Sequence, residues 1–187
     1  MFALDVEHTL RLLRVDDGAA LARAYSANRV HLEPWEPLRP ASFFTTAVQD
    51  ADVRRSLAET SSGRAARFVV EGPGGEIRGR FNLNGIVRGA FDNADLGYWV
   101  DARLQGRGFA TAAVAHTLEY ARETLGLHRV QAGTLPHNLA SQRVLAANGF
   151  TRIGLAPRYL RIAGEWQDHI LFQRLLEEGI SAPSERP

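Results

Sequence analysis

Tyr98–Thr111 reads YWVDARLQGRGFAT and changes character twice. Tyr98, Trp99 and Val100 are aromatic and β-branched residues that suit the end of a strand. Asp101–Gln105 reads as a turn, and Gly106–Thr111 as the first turn of a helix. The start of a helix presents backbone N–H groups without intrahelical partners and carries a partial positive charge. Gly106 and Gly108 leave the approach bare, Ala110 adds only a methyl, and Arg107 adds a full positive charge. An anionic diphosphate suits such a start best, because several N–H donors converge on its oxygens while the helix dipole favours its charge. A turn that binds nothing is the simpler reading of the same glycines.

Two other phosphate-binding patterns do not fit. No GxxxxGK followed by Ser or Thr occurs in the chain. A dinucleotide turn needs a third glycine where Thr111 stands, and an acid on the next strand, His128–Thr134, which has none.

The spacing that does match is Q-x-x-G-x-A, met by Gln105, Gly108 and Ala110. It resembles the pyrophosphate-binding motif of the GNAT superfamily of acyl-CoA-dependent N-acyltransferases. More narrowly, LGYWVD (96–101), QGRGFAT (105–111), NLASQRVLAANGF (138–150) and GEWQDH (164–169) resemble the Rim-type ribosomal-protein N-terminal acetyltransferases. The resemblance covers nearly the whole chain and is weakest in its first half. It implies a mixed α/β GNAT fold: a bent, mostly antiparallel sheet with a central splayed parallel strand pair and flanking helices. It also implies acetyl-CoA as co-substrate, with backbone groups near Trp99 and Val100 pairing with the pantetheine amides. The diphosphate would lie against Gln105, Gly106, Arg107, Gly108, Phe109, Ala110 and Thr111.

Composition narrows the classes. The 187 residues carry a net charge of +1 with both signs interspersed, which gives a nucleic-acid binder no basic face. No cysteine occurs, excluding disulfides, thiolate metal sites and a thioester-linked enzyme intermediate, so direct attack on the acyl donor is expected. No apolar run approaches the roughly 20 residues of a membrane span, and MFALDVEHTL has acids where a signal peptide is basic. The expectation is a cytoplasmic protein, monomer or homodimer, with residues 1–180 as one domain and 181–187 as a frayed tail.

Pattern places the other elements. Thr9–Val15 reads as a strand, Asp16 as the cap of a helix running to Arg29, and the proline-punctuated HLEPWEPLRP (31–40) as a loop. Ser42–Thr60 reads as a helix with Phe44, Val48 and Leu57 inward. Arg67–Glu71 and Glu76–Ile86 form a hairpin about Gly72–Gly75, and Ala94–Val100 returns as a strand. Ala110, Val114, Leu118, Ala121 and Leu125 make one helical stripe ended by Gly126. The helix Asn138–Gly149 turns Ala140, Val144 and Ala147 inward. Phe150–Leu155 and Asp168–Leu175 read as strands joined by the connection APRYLRIAGEW.

Asn138 and Ser141 lie one helical turn apart, a spacing that by itself describes an N-cap followed by surface serine. In Rim-type enzymes the N-x-x-S pair contacts the CoA arm, and the resemblance makes Ser141 the acid that protonates the departing thiolate. The base stays open among Asp95, Glu33, Glu36, Glu165, Asp168 or a water, because a free amino terminus has a pKa near 8 and needs only a weak one. Trp35 with Glu36 in the loop, and Tyr98, Trp166 and Asp168, are the candidate acceptor contacts. The six histidines show no metal-ligand spacing, and His169 reads as structural. The expected reaction is acetyl transfer to a primary amine, with a protein N-terminal α-amine favoured. A small-molecule amine is the alternative within the class, and a CoA-binding module without turnover the alternative outside it.

Overall fold

The computed structural model describes residues 1–176; the expected tail at 181–187 lies outside them. The chain enters through two short strands, β1 (Phe2–Ala3) and β2 (Thr9–Leu12), and the helices α1 (Gly18–Ala27) and α2 (Arg29–Leu32). A 3-10 turn at Ala41–Phe44 leads into α3 (Thr46–Ser61). Three strands follow: β3 (Ala66–Glu71), β4 (Ile77–Val87) and β5 (Asn93–Val100). Helix α4 (Phe109–Glu123), β6 (Arg129–Thr134), α5 (Leu139–Ala147), β7 (Thr151–Ile162) and β8 (Glu165–Leu175) complete the described chain. One eight-stranded sheet runs β1-β2-β3-β4-β5-β6-β8-β7, as expected a mostly antiparallel mixed α/β fold. Its parallel pair, β5 with β6, is interior to the sheet.

Strand alternation divides the core between the two faces of this sheet. Phe68, Val70, Phe81, Leu83 and Leu96 pack with Val114, Leu118 and Leu145 on the α4 and α5 side. Val69, Ile77 and Trp99 pack with Leu21, Tyr25 and Val53 on the α1 and α3 side. Fully buried aliphatic side chains of this kind each contribute about 1.5–3 kcal/mol.

Where the local readings fail, the packing partner is the reason. Asp17, not Asp16, precedes α1, and its carboxylate caps nothing. It is held instead by the buried Arg11 guanidinium through two 2.8 Å bonds. His31 and Leu32, expected in a loop, extend the helical run as α2, because the prolines begin only at Pro34. Helix α3 turns Gln49, Val53 and Ser56 inward and leaves Val48 exposed, while Phe44 packs from the preceding 3-10 turn. In α5 only Leu145 is fully buried; Ala140 and Ala147 face out because the helix lies across the edge of the cleft. The α4 stripe is wider than expected, taking in Ala113 and Thr117, with Ala110 and Leu125 only partly covered. The largest correction is the connection APRYLRIAGEW. It belongs to two long paired strands, Ile162 opposite Glu165 and Leu160 opposite Gln167, with a register break at Ala156–Leu160. Arg158 enters that break at φ +48°, and its N–H bonds the Asp168 carboxylate at 2.8 Å.

Candidate active site at the splayed strands

β5 and β6 are paired only from Asn93–Arg129 to Asp95–Gln131. Beyond that point β5 stays with β4 as far as Val100 opposite Gly79, while β6 stays with β8 as far as Thr134 opposite Ile170. Leu96–Val100 therefore offers one unpaired backbone edge along the gap, which an extended amide-bearing chain can use as a strand would.

A cleft of about 500 Å³ opens on the α4 and α5 side of the gap. Its head is the start of α4. Gly106 and Gly108 have φ of +70° and +82°, and a Cβ at either would meet nothing within 4 Å. The first intrahelical donor is Ala112 N–H, bonded to Gly108 O at 3.0 Å, so the N–H groups of Phe109, Ala110 and Thr111 are available to a ligand. Gln105, Gly106, Gly108, Phe109, Ala110 and Thr111 all line this cleft. Phe109 serves it through its backbone, since its ring is buried edge-on to His8 at 4.8 Å. Arg107 is outside the lining, with its guanidinium over the Phe109 ring at 5.2 Å. Leu104, His31 and Arg143 line the cleft and were not singled out by the motif.

The turn that aims this helix is fastened by Asp101, buried at 2 % exposure. Its carboxylate accepts from Arg103 N–H (2.9 Å) and the Arg103 and Arg78 guanidinium groups (2.6 and 3.1 Å). Bonds from Arg103 foremost hold it well below the usual aspartate range. Asn28 ties the same turn to α1, accepting from Ala102 N–H at 3.0 Å.

On the opposite side of the sheet lies a second cavity of about 540 Å³, under α1 and α3. The two cavities share six residues: Trp35, Glu36, Tyr98, Trp99, Asn138 and Ser141. All six are candidates from the sequence. Asn138 caps α5 by accepting from Ser141 N–H at 3.1 Å, so the simple reading of that pair holds in the same place where the pair faces the gap. Ser141 Oγ and Tyr98 Oη stand 2.8 Å apart, a pair in which either hydroxyl can donate, and Ser141 O, 3.3 Å from Tyr98 Oη, is the alternative acceptor of the single phenol proton. Burial pushes the Tyr98 phenol up to about 12, so it stays protonated at neutral pH. Trp99 is a core anchor whose indole N–H donates to Tyr25 Oη at 3.2 Å; what it turns to the gap is backbone.

The carboxylate candidates separate. Glu36 alone among them lines both cavities, and burial raises its pKa against the opposing pull of Arg39, 3.5 Å away. Glu33 is exposed and lines neither cavity. Asp95 is the last residue of β5 paired to β6, its pKa raised by burial, and also lines neither. Glu165 and Trp166 stand at the hairpin end, Trp166 63 % exposed, and Asp168 is engaged at the β7 break. None of these three lines either cavity, because the extended hairpin carries them past it; Leu160, Ile162 and His169 line the acceptor-side cavity instead. His169 Nδ1–H donates to Gln167 O at 3.0 Å. Among the described residues no group of three or more His, Cys, Asp or Glu is placed to hold a metal ion, and no helix is long and apolar enough to cross a membrane.

An anion-binding helix start, a splayed strand edge and a second cavity meeting the first at ionisable groups define an acyl-CoA-dependent transferase. Comparison with known proteins agrees. The family described as Acetyltransferase (GNAT) domain matches residues 8–151. The ribosomal protein uS5-alanine N-acetyltransferase of Escherichia coli K12 is 36% identical over 163 residues, 87% of this chain and 84% of that protein. The ribosomal-protein-S5-alanine acetyltransferase of Vibrio fischeri superposes with a TM-score of 0.90 at 33% identity, covering 95% of this chain and 97% of that one. Mycobacterium smegmatis RimJ, solved with CoA-disulfide, gives 0.84 at 36% identity over 90% of this chain and 81% of that one. The chain belongs to the GNAT acetyltransferase family. It is an N-acetyltransferase that uses acetyl-CoA.

Proposed function

We propose that the acceptor is the free α-amine of a protein N-terminus, and that Glu36, Tyr98 and Ser141 carry the transfer. The observation behind this reading is the wall shared by the two cavities, where donor and acceptor sides meet at a carboxylate and a hydroxyl pair. The names of the relatives, alanine acetyltransferases of ribosomal proteins, favour a peptide acceptor.

Acetyl-CoA supplies a thioester carbonyl already reactive toward amines. The start of α4 would hold its diphosphate, and the Leu96–Val100 edge its pantetheine amides. The chain's own groups manage protons. Glu36 takes a proton from the incoming ammonium or from the nitrogen as it forms the N–C bond, directly or through one water. As the C–S bond breaks, Ser141 Oγ–H donates to the sulfur that keeps the electron pair. Tyr98 turns its one O–H from Ser141 O to Ser141 Oγ as the serine gives up its proton, which limits the charge left on a serine that is a poor acid by itself. Trp35, its ring 5.4 Å from His137, walls the point of transfer.

The test is a panel of amines followed by thiol release. Peptides with a free N-terminus are expected to exceed the same peptides blocked there and offering only lysine, since the α-amine is less fully protonated at pH 7 to 8. A far higher kcat/KM for lysine side chains or an aminoglycoside would overturn the acceptor and leave the family standing.

A further inference from the structure

The transfer step uses the acceptor-side cavity only at the wall it shares with the donor cleft; the floor beside that wall is the sheet itself. Strand alternation turns Leu96 of β5 and Ala132 of β6 into the core on the α4 and α5 side, and leaves Gly97 and Gly133 on the opposite face. Both glycines line the acceptor-side cavity and neither lines the donor cleft. Their register relates them to each other. β5 and β6 pair Asn93 with Arg129, Ala94 with Val130 and Asp95 with Gln131. Continued by two residues, that register would set Gly97 opposite Gly133, at the first level on this face where the strands have parted. Both sides of the gap therefore lack a side chain there. The next side chains outward are Asn82, the β4 partner of Gly97, and Leu171, the β8 partner of Gly133. What lies between is a depression two strands wide in the cavity floor, next to Tyr98 of the shared wall. Gly133 is exposed and Gly97 half-buried, so a ligand in the cavity can rest on both.

Neither glycine is needed by the fold. Glycine weakens a strand interior, and its usual reasons there are a left-handed backbone, close packing of the protein on itself, or the approach of a ligand. Gly97 and Gly133 do not have positive φ. Gly79 of β4 shows what a packing glycine looks like, since a Cβ there would stand 2.8 Å from Trp99 O. At Gly97 the nearest atom would be Asn84 Nδ2 at 3.6 Å, and at Gly133 a Leu171 methyl at 3.5 Å, both ordinary contacts. The approach of a ligand is the reason that remains.

We propose that Gly97 and Gly133 seat the first side chain of the acceptor and limit its size. This rests on the α-amine reading above. With the reacting nitrogen at the shared wall, the atoms bonded next to it, the first Cα and its substituent, lie over the adjoining floor. Two absent Cβ atoms leave room for a methyl or hydroxymethyl group. A first residue of alanine or serine fills the depression, glycine leaves it empty, and a branched or aromatic side chain overfills it.

The experiment compares peptides that differ only in beginning with glycine, alanine or leucine, on the wild type, Gly97→Ala, Gly133→Ala and the double variant. The peptides share the donor and every later contact, so the ratio of their kcat/KM values within one variant cancels any change in acetyl-CoA binding or in the fraction folded. The wild type is expected to prefer alanine to glycine and to use leucine poorly. One added carbon in a fitted pocket is worth tenfold or more, so the alanine-to-glycine ratio should fall about 10- to 100-fold in each single variant, and the double variant should prefer glycine. A ratio within about threefold of the wild type in either single variant, or a wild type that takes leucine as readily as alanine, overturns this assignment alone. Failure to acetylate any free peptide N-terminus overturns the acceptor reading together with it.

Discussion

In the proposed transfer the Ser141 and Tyr98 hydroxyls at the shared wall act as a unit. Ser141→Ala removes the hydroxyl proposed to protonate the sulfur, and turnover is expected to drop roughly tenfold to a hundredfold, less than a full general-acid effect because a thiolate leaves fairly well unaided. Tyr98→Phe removes the phenol's contacts with Ser141 Oγ and Ser141 O but leaves the serine hydroxyl in place, so it should lower kcat by less and add little to Ser141→Ala when combined. Single-turnover kinetics check both, and additive losses would mean that the pair does not act as a unit. Glu36 is different because its protonation can be followed. Burial favours its neutral form and raises its pKa above the ordinary 4.5, so the proposed base is lost as pH falls through that raised value. The acid limb of the kcat/KM profile should lie above 4.5, and Glu36→Gln should lower kcat/KM by about 10²- to 10⁴-fold and erase that limb. A limb unchanged in Glu36→Gln would assign it to another group.

At the scale of elements, the start of α4 and the turn before it act together. Gly108 at φ +82° disfavours any side chain, though Asn and Asp tolerate the left-handed region best. Gly108→Asn and Gly108→Asp share the same strain and nearly the same bulk, so the comparison isolates charge. Calorimetry should show acetyl-CoA binding weakened about tenfold in the first and at least about a hundredfold in the second. Equal affinities would mean that the diphosphate does not face this helix. Asp101 does its work on the folded chain. Its depressed pKa contributes stability that is fully present above the unfolded value of 3.8 and is lost as pH falls through the lower folded value. Asp101→Asn should cost about 1.5–3 kcal/mol at pH 7 in urea unfolding, and the gap to wild type should close toward acid.

Across the whole molecule, the acceptor side is closed by two segments distant in sequence. The β7–β8 hairpin tip meets the Trp35–Glu36 loop, where Ala163 N–H donates to Glu36 O at 2.9 Å. Gly164, at φ +88°, faces Leu38, whose side chain a Cβ there would crowd at 2.9 Å. Gly164→Val should therefore loosen the loop and raise the acceptor KM more than the acetyl-CoA Kd, since Trp35 and Glu36 meet the donor cleft only at the wall shared by the two cavities. Trp35→Ala should also raise the acceptor KM. A fall in acetyl-CoA affinity equal to the loss on the acceptor side would contradict the division into two cavities.

Local chemistry was enough to read the proposed donor side, whose residues the structure brings to one cleft. A strand end, two glycines and a helix start are neighbours in the chain, and their diphosphate-binding character depends on backbone geometry that adjacent residues dictate. The N-x-x-S pair at Asn138 and Ser141 was legible for the same reason, being one helical turn. The acceptor side was not. The alternation in RGRFNLN (78–84) says that Arg80, Asn82 and Asn84 share a face, but only the packing of α1 and α3 makes that face a cavity wall. Only the hairpin's full length removes Trp166 and Asp168 from the mouth and brings Leu160 and Ile162 there. Local pattern cannot choose among Glu33, Glu36 and Asp95, since a carboxylate's role depends on burial and opposing charges supplied by distant segments. The donor site is thus largely a property of contiguous sequence, and the acceptor site a property of tertiary contact.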